Sequence, residues 1–218
     1  SKLNTTLTGD IVKKMDDNAF KLAIQSKDIQ YIIPAKEVGI DKVAESLGIV
    51  KENLSQIKVE VKIEKLDAAI VQKITAEAKA KNYEVVFPPV EFKVVAQTQT
   101  SSGQQKTVEI SKFTDYVERV MEIPAGIDPS KITTGIVYNA DGTFSHVPTQ
   151  VFKKEGKYYA RLNSLTNSSY SVIWNPITVA AVEKHWSKAA VNDMASRLVI
   201  INPETYAPNA AITRGEFA

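Results

Sequence analysis

Hydrophobic and polar residues alternate most cleanly over residues 57–64, where Ile57, Val59, Val61 and Ile63 are interleaved with Lys58, Glu60, Lys62 and Glu64. Successive strand side chains point to opposite faces, so this stretch predicts a strand with one buried face. Residues 67–81 are rich in Ala, Lys, Glu and Ile and lack Gly and Pro, which predicts a helix with Ile70 and Ile74 on its buried stripe. Upstream, residues 10–15 and 19–24 read as a short amphipathic helix running into a strand. Residues 30–34 read as a strand stopped by Pro34, and residues 41–48 as a short helix capped by Asp41 and ended by Gly48.

The second half is dominated by strand and turn signals. Pro88-Pro89 is expected to break the chain before the apolar run at residues 90–96, which pairs with residues 107–110 across a Thr/Ser/Gly/Gln linker. Two sharper hairpins follow, one turning at Asp141-Gly142 and one at Glu155-Gly156, where glycine supplies the positive φ that a tight turn demands. Residues 170–174 form a last strand closed by Asn175-Pro176. Beyond it the pattern turns helical over residues 189–198, passes through an irregular loop at 202–208, and reaches Thr213 as the cap of a further helix. The fold class expected is α+β, a strand-rich antiparallel, sandwich-like module followed by a helical appendix. Three segments are expected: an α+β part at 1–88, a β-rich part at 89–176 that either stands alone or joins the first, and 177–218.

Composition narrows the chemistry. The 218 residues are 44% hydrophobic and 24% charged, a globular balance. The 27 basic and 25 acidic residues leave a net charge of +2 in short alternations, with no block to attract nucleic acid. The absence of cysteine excludes disulfides, thiolate zinc sites and thiol nucleophiles. No apolar run approaches the roughly 20 residues of a membrane helix, so no membrane span is expected. The chain begins on Ser1 rather than Met and reads as an internal piece of a longer protein.

Candidate catalytic and metal-binding groups are few. His146 and His185 are the only histidines, and neither has a second ligand at helical or turn spacing. The run Asn139-Ala140-Asp141-Gly142 lacks the remaining oxygens of a calcium loop and is explained as a hairpin turn. Ser145 and His146 are strand neighbours on opposite faces and cannot form a nucleophile-base pair. No phosphate-cradling loop, nucleophile elbow or dinucleotide fingerprint occurs. The expectation is a non-enzyme without catalytic residues, metal or cofactor. Tyr158, Tyr159 and Trp174 are candidates for a sugar-stacking platform, although strand aromatics more often pack inward.

Two ordered motifs near the C terminus carry a resemblance. Residues 185–195, opening His185-Trp186-Ser187-Lys188, and the later pair Tyr206-Ala207-Pro208 and Ile212-Thr213-Arg214-Gly215-Glu216 together resemble an S-layer homology repeat. The resemblance covers about the last forty residues. It departs from the family pattern where Gly215 replaces an alanine and where residues 201–205 replace a glycine-rich turn. It implies attachment of a secreted surface protein to peptidoglycan through its secondary cell-wall polysaccharide, in clefts formed by three packed repeats. On that basis the polysaccharide-binding residues are Trp186, Arg214 and Glu216, with Arg214 meeting an anionic sugar substituent, as a guanidinium fork suits a carboxylate. The implied location is extracellular, in the cell wall of a Gram-positive bacterium, with other S-layer subunits as further partners. The upstream phrases at residues 113–119, 146–149 and 165–170 more weakly resemble regions that precede such repeats. The function expected is a structural or display module, with a carbohydrate-binding module of a polysaccharide-degrading enzyme as the alternative.

Overall fold

The computed structural model describes residues 2–139 and 141–217, with backbone only for Lys2, Glu216 and Phe217. In chain order the elements are β1 (Lys2–Thr8), α1 (Gly9–Asp17), β2 (Lys21–Gln25), β3 (Ile29–Pro34), α2 (Ile40–Leu47), β4 (Lys58–Lys65), α3 (Ala68–Ala80), β5 (Glu84–Gln99), β6 (Gln105–Glu109), β7 (Lys112–Glu122), β8 (Thr134–Tyr138), β9 (Phe144–Val147), β10 (Thr149–Lys154), β11 (Lys157–Thr166), β12 (Ser169–Trp174), α4 (Lys188–Ser196) and α5 (Arg214–Phe217). The strands form two antiparallel sheets. One is seven-stranded, in the order β1-β4-β5-β12-β8-β9, with β6 also paired to β5; the other is five-stranded, in the order β10-β11-β7-β3-β2. The fold is α+β and strand-rich, as the alternation predicts.

The sheets pack face to face. Tyr31 of β3 meets Phe92 of β5 edge-on with ring centroids 5.0 Å apart, and Phe92 meets Tyr170 of β12 at 6.0 Å. Around these rings Val59, Val61 and Ile63 of β4, Val117 and Met121 of β7, and Leu162 of β11 are almost wholly excluded from water. These inward positions follow the period of two that a half-buried strand requires. Gly135 of β8 lies under this layer. A Cβ built there would fall 2.5 Å from Leu162 Cγ and Cδ2, so only glycine lets the chain pass so close.

Between the sheets lies a buried polar network centred on Arg119 of β7, a residue with no solvent exposure. Its Nη1 donates to Val117 O at 3.0 Å, and its Nη2 donates to Thr166 O at 2.6 Å and Asn167 Oδ1 at 2.9 Å. The guanidinium carbon sits 5.1, 5.2 and 4.4 Å from the ring centroids of Tyr31, Phe92 and Tyr170. Asn167 also accepts the Tyr31 hydroxyl at 2.5 Å and donates to Ile110 O at 2.9 Å. The network therefore pins the turn between β11 and β12 onto β7 and β3. Two of the phrases singled out by resemblance, residues 113–119 and 165–170, meet here.

Local readings differ from the structure at four places. Pro88-Pro89 does not break the chain, because β5 runs through it. The prolines sit in a bulge, where the register with β12 shifts between Tyr170 and Val172, beyond the last β4 partner, Val90. Missing N–H groups cost no ladder bond at such a position. Helix α2 is preceded by Gly39 in the left-handed region at φ 62, and Asp41 instead pairs with Lys13 at 3.3 Å. On α3 the buried stripe is Ile74 and Ala78, while Ile70 is exposed. Strands β1 and β7 carry too many polar residues to read as strands alone and are drawn in by pairing with β4 and β11.

Candidate functional site

The C-terminal segment builds a core of its own. Val179, Val182, Val191 and Ala195 are buried together, with Ile177, Ile200 and Tyr206 packed against them. Helix α4 supplies the i, i+4 pair Val191 and Ala195, which share one face. Its start is organised by His185, whose Nδ1 lies 2.7 Å from Ser187 Oγ and accepts the Ser187 backbone N–H at 3.3 Å. Lys188 pairs with Glu183 at 2.9 Å, and Arg197 grips Asp193 through Nε at 2.9 and 3.0 Å.

Polar bonds fix α4 to the chain leaving β12, two of them within the segment and others reaching the sandwich. Ser196 accepts the Asn175 side-chain amide on its carbonyl at 2.8 Å and the Ile177 N–H on its hydroxyl at 2.9 Å. Asn192 accepts the Val179 N–H at 2.9 Å, and Asn175 N donates to Thr133 Oγ1 at 2.9 Å. His146 stands on the sandwich side, 3.2 Å from Thr134 Oγ1. Burial, and then the Arg197 charge, hold its imidazole below the usual histidine range. Sequence reading missed Asn192, Ser196 and Arg197, because polar residues on a helix give no sign of a partner tens of residues away.

Two of the three residues expected to bind polysaccharide, Trp186 and Arg214, lie on the outer surface of this segment. The Trp186 side chain is 91% exposed and, among the described residues, has one ring contact, with His185 at 5.4 Å. Arg214 is exposed at the first position of α5, and the side chain of Glu216 lies outside the described residues. No hydrogen bond, ion pair or ring contact joins Trp186 to Arg214 among the described residues. Met194, Val199, Ile201 and Ile212 of this segment are exposed, Ile201 at 84%.

The candidate aromatic platform does not assemble. Tyr158 packs against the sandwich core, Tyr159 points to the opposite face of β11, and Trp174 ends β12 beneath Lys131 Nζ at 4.6 Å. Neighbours in a strand diverge, so Tyr158 and Tyr159 cannot present one surface. Among the described residues no group of three or more His, Asp or Glu side chains gathers as a metal would require, and no helix is long and apolar enough to cross a membrane.

The molecule is a β-sandwich joined to a small helical unit that leaves several apolar side chains exposed. The helical unit is recognisable: residues 181–218 match the family model of the S-layer homology domain. Residues 181–218 form a partial S-layer homology repeat near the C terminus; domains of that family are non-catalytic anchoring elements that bind cell-wall polysaccharide at the cell surface. No curated protein and no solved structure matches the chain.

Proposed function

We propose that the chain is a non-catalytic structural and display module of a secreted S-layer-type protein of a Gram-positive bacterium, held in the cell wall by S-layer homology repeats that bind secondary cell-wall polysaccharide. The match over residues 181–218 carries this reading. In it, Arg214 meets an anionic substituent of the sugar, Trp186 and Glu216 line or support the cleft, and the exposed apolar side chains of the repeat are covered by neighbouring repeats. The Asn175 side-chain amide, one residue beyond β12, donates to Ser196 O of α4, a direct tie between sandwich and anchor that suits a display role.

Purified cell-wall sacculi test the proposal. This chain, a version carrying three complete repeats, and the longer version with Arg214→Ala are each sedimented with sacculi. The longer protein is expected to co-sediment, and Arg214→Ala to weaken it roughly tenfold, the loss of one charge-assisted contact. A longer protein that stays in the supernatant overturns the anchoring role, and undiminished binding by Arg214→Ala overturns the role of that side chain.

A further inference from the structure

Strand β1 ends the seven-stranded sheet, with β4 on one side and, among the described residues, no strand on the other. Its register with β4 runs unbroken from Lys2 against Glu64 to Thr8 against Lys58, so this edge carries no bulge. From Leu3 to Thr8 it has neither a charged residue nor a proline. The other ends of the two sheets are defended: β2 holds Lys21, β10 holds Lys153 and Lys154, and β9 is four residues long. A long, regular, uncharged edge is a template for a further strand.

Alternation settles which backbone groups such a strand meets. Gly9 N donates to Ile57 O at 2.9 Å, the next step in register after Thr8 and Lys58, so the odd residues of β1 turn their N–H and C=O toward β4. The even residues Asn4 and Thr6 therefore turn theirs to the open edge. Their side chains are exposed on the outer face, whereas Leu3, Thr5 and Leu7 are half-buried, with the two leucines packed against the core.

This pattern is complementary to itself. In an antiparallel pair with a two-fold axis at Thr5, Asn4 exchanges N–H···O bonds with Thr6 of a second copy on each side of the axis. Leu3 then faces Leu7 of the second copy, and each covers the other. The charges of β4 favour the same register. Asn4 is paired with Lys62 and Thr6 with Glu60, so the row through Asn4 and Thr6 sets Lys62 opposite Glu60 of the second copy. A slip of two residues one way sets Lys62 opposite Lys62, and the other way Glu60 opposite Glu60. These rows lie about 14 Å apart, three strand spacings, so the charges choose the register and add little affinity.

We propose that β1 is a self-pairing edge through which two copies of this chain join their seven-stranded sheets into one. Contact along a single seven-residue strand is smaller than a standard interface, so the dimer is weak, with a dissociation constant on the order of 100 µM. Copies displayed side by side on one surface meet at a higher effective concentration. The pairing deepens the display reading but needs no cell wall, so the two fail separately.

Sedimentation equilibrium of the whole chain from about 10 µM to about 1 mM is expected to show monomer passing to dimer. Thr6→Pro removes an N–H that faces the open edge and spares the β4 ladder; it is expected to weaken the dimer at least about tenfold while the monomer keeps its far-ultraviolet spectrum. The chain has no cysteine, so Thr5→Cys sets a single thiol on the axis, where facing Cα atoms lie about 4.5 Å apart, within disulfide reach. In a glutathione buffer it is expected to link at least about tenfold faster than Ser55→Cys, which replaces an exposed turn residue. A chain that stays monomeric at the highest concentration overturns the proposal and leaves the edge to a strand of another protein. A dimer that survives Thr6→Pro, or Thr5→Cys linking no faster than Ser55→Cys, overturns it as well, because the contact then lies elsewhere. The unaltered chain and the thiol variants carry the test if Thr6→Pro fails to fold, and sedimentation with sacculi is indifferent to every outcome.

Discussion

Replacing Arg119 by alanine probes the largest buried charge in the sandwich. The side chain makes three hydrogen bonds to carbonyl oxygens and three ring contacts at 4.4 to 5.2 Å. Hydrogen bonds from a charged donor contribute about 1.5–3 kcal/mol each and cation–π contacts roughly 1, against a desolvation cost of several kcal/mol. Truncation does not strand all three acceptors. Thr166 O keeps the Tyr170 hydroxyl at 2.6 Å, and Asn167 Oδ1 keeps that of Tyr31 at 2.5 Å. The cavity adds to the loss, so Arg119→Ala is expected to cost about 4 kcal/mol. Arg119→Met, which fills most of the space without the donors, is expected to cost about 2 kcal/mol. Urea unfolding followed by far-ultraviolet circular dichroism reads both. With a slope of about 3 kcal/mol/M, the alanine midpoint falls by roughly 1 M and the methionine midpoint by about half that. A methionine variant as stable as the parent would refute the reasoning, because the guanidinium would then return only what its own burial costs.

Two pH effects follow, one from this network and one from the sandwich face beside α4. Burial pushes the Tyr31 hydroxyl up to about 12, whereas in the unfolded chain it ionises near 10, so stability that is whole at neutral pH is lost as pH climbs through that window, by about 2–3 kcal/mol at most. Urea midpoints at pH 9 and 11 are expected to fall less in Tyr31→Phe than in the parent; equal falls would exclude this residue as the cause. His146 titrates in the opposite sense: its folded pKa lies below the usual 6.5, so stability is present above that pH and is lost as pH drops through the folded value. Thermal melts at pH 7 and 5 are expected to show a smaller acid loss in His146→Gln, and an unchanged loss would locate the sensitivity elsewhere.

Most of the strands and turns were legible because their signals are local. The alternation of Val59, Val61 and Ile63 sets the buried face of β4, and Glu155-Gly156 takes the positive φ values of 49 and 80 that its hairpin needs. Pairing across sheets is not local. Arg119 reads as a surface charge, and the one hint of its burial is its place in register between Val117 and Met121 on the inward face of β7. The Pro88-Pro89 bulge was likewise misread, since the ladder bonds a proline removes are known only once the neighbouring strands are known.

The amino-acid order alone determined the strand-rich α+β character, the hairpin turns and the partial repeat at the C terminus, because each rests on spacings of a few residues and on ordered motifs. Only the tertiary structure decided that Tyr31, Arg119, Asn167 and Tyr170 share one buried network, that Tyr158 and Tyr159 part company, and that Phe152 stacks on Tyr159. The physical reason is that periodicity fixes which side of a strand faces inward, whereas the choice of neighbour depends on closing loops tens of residues long around a common core.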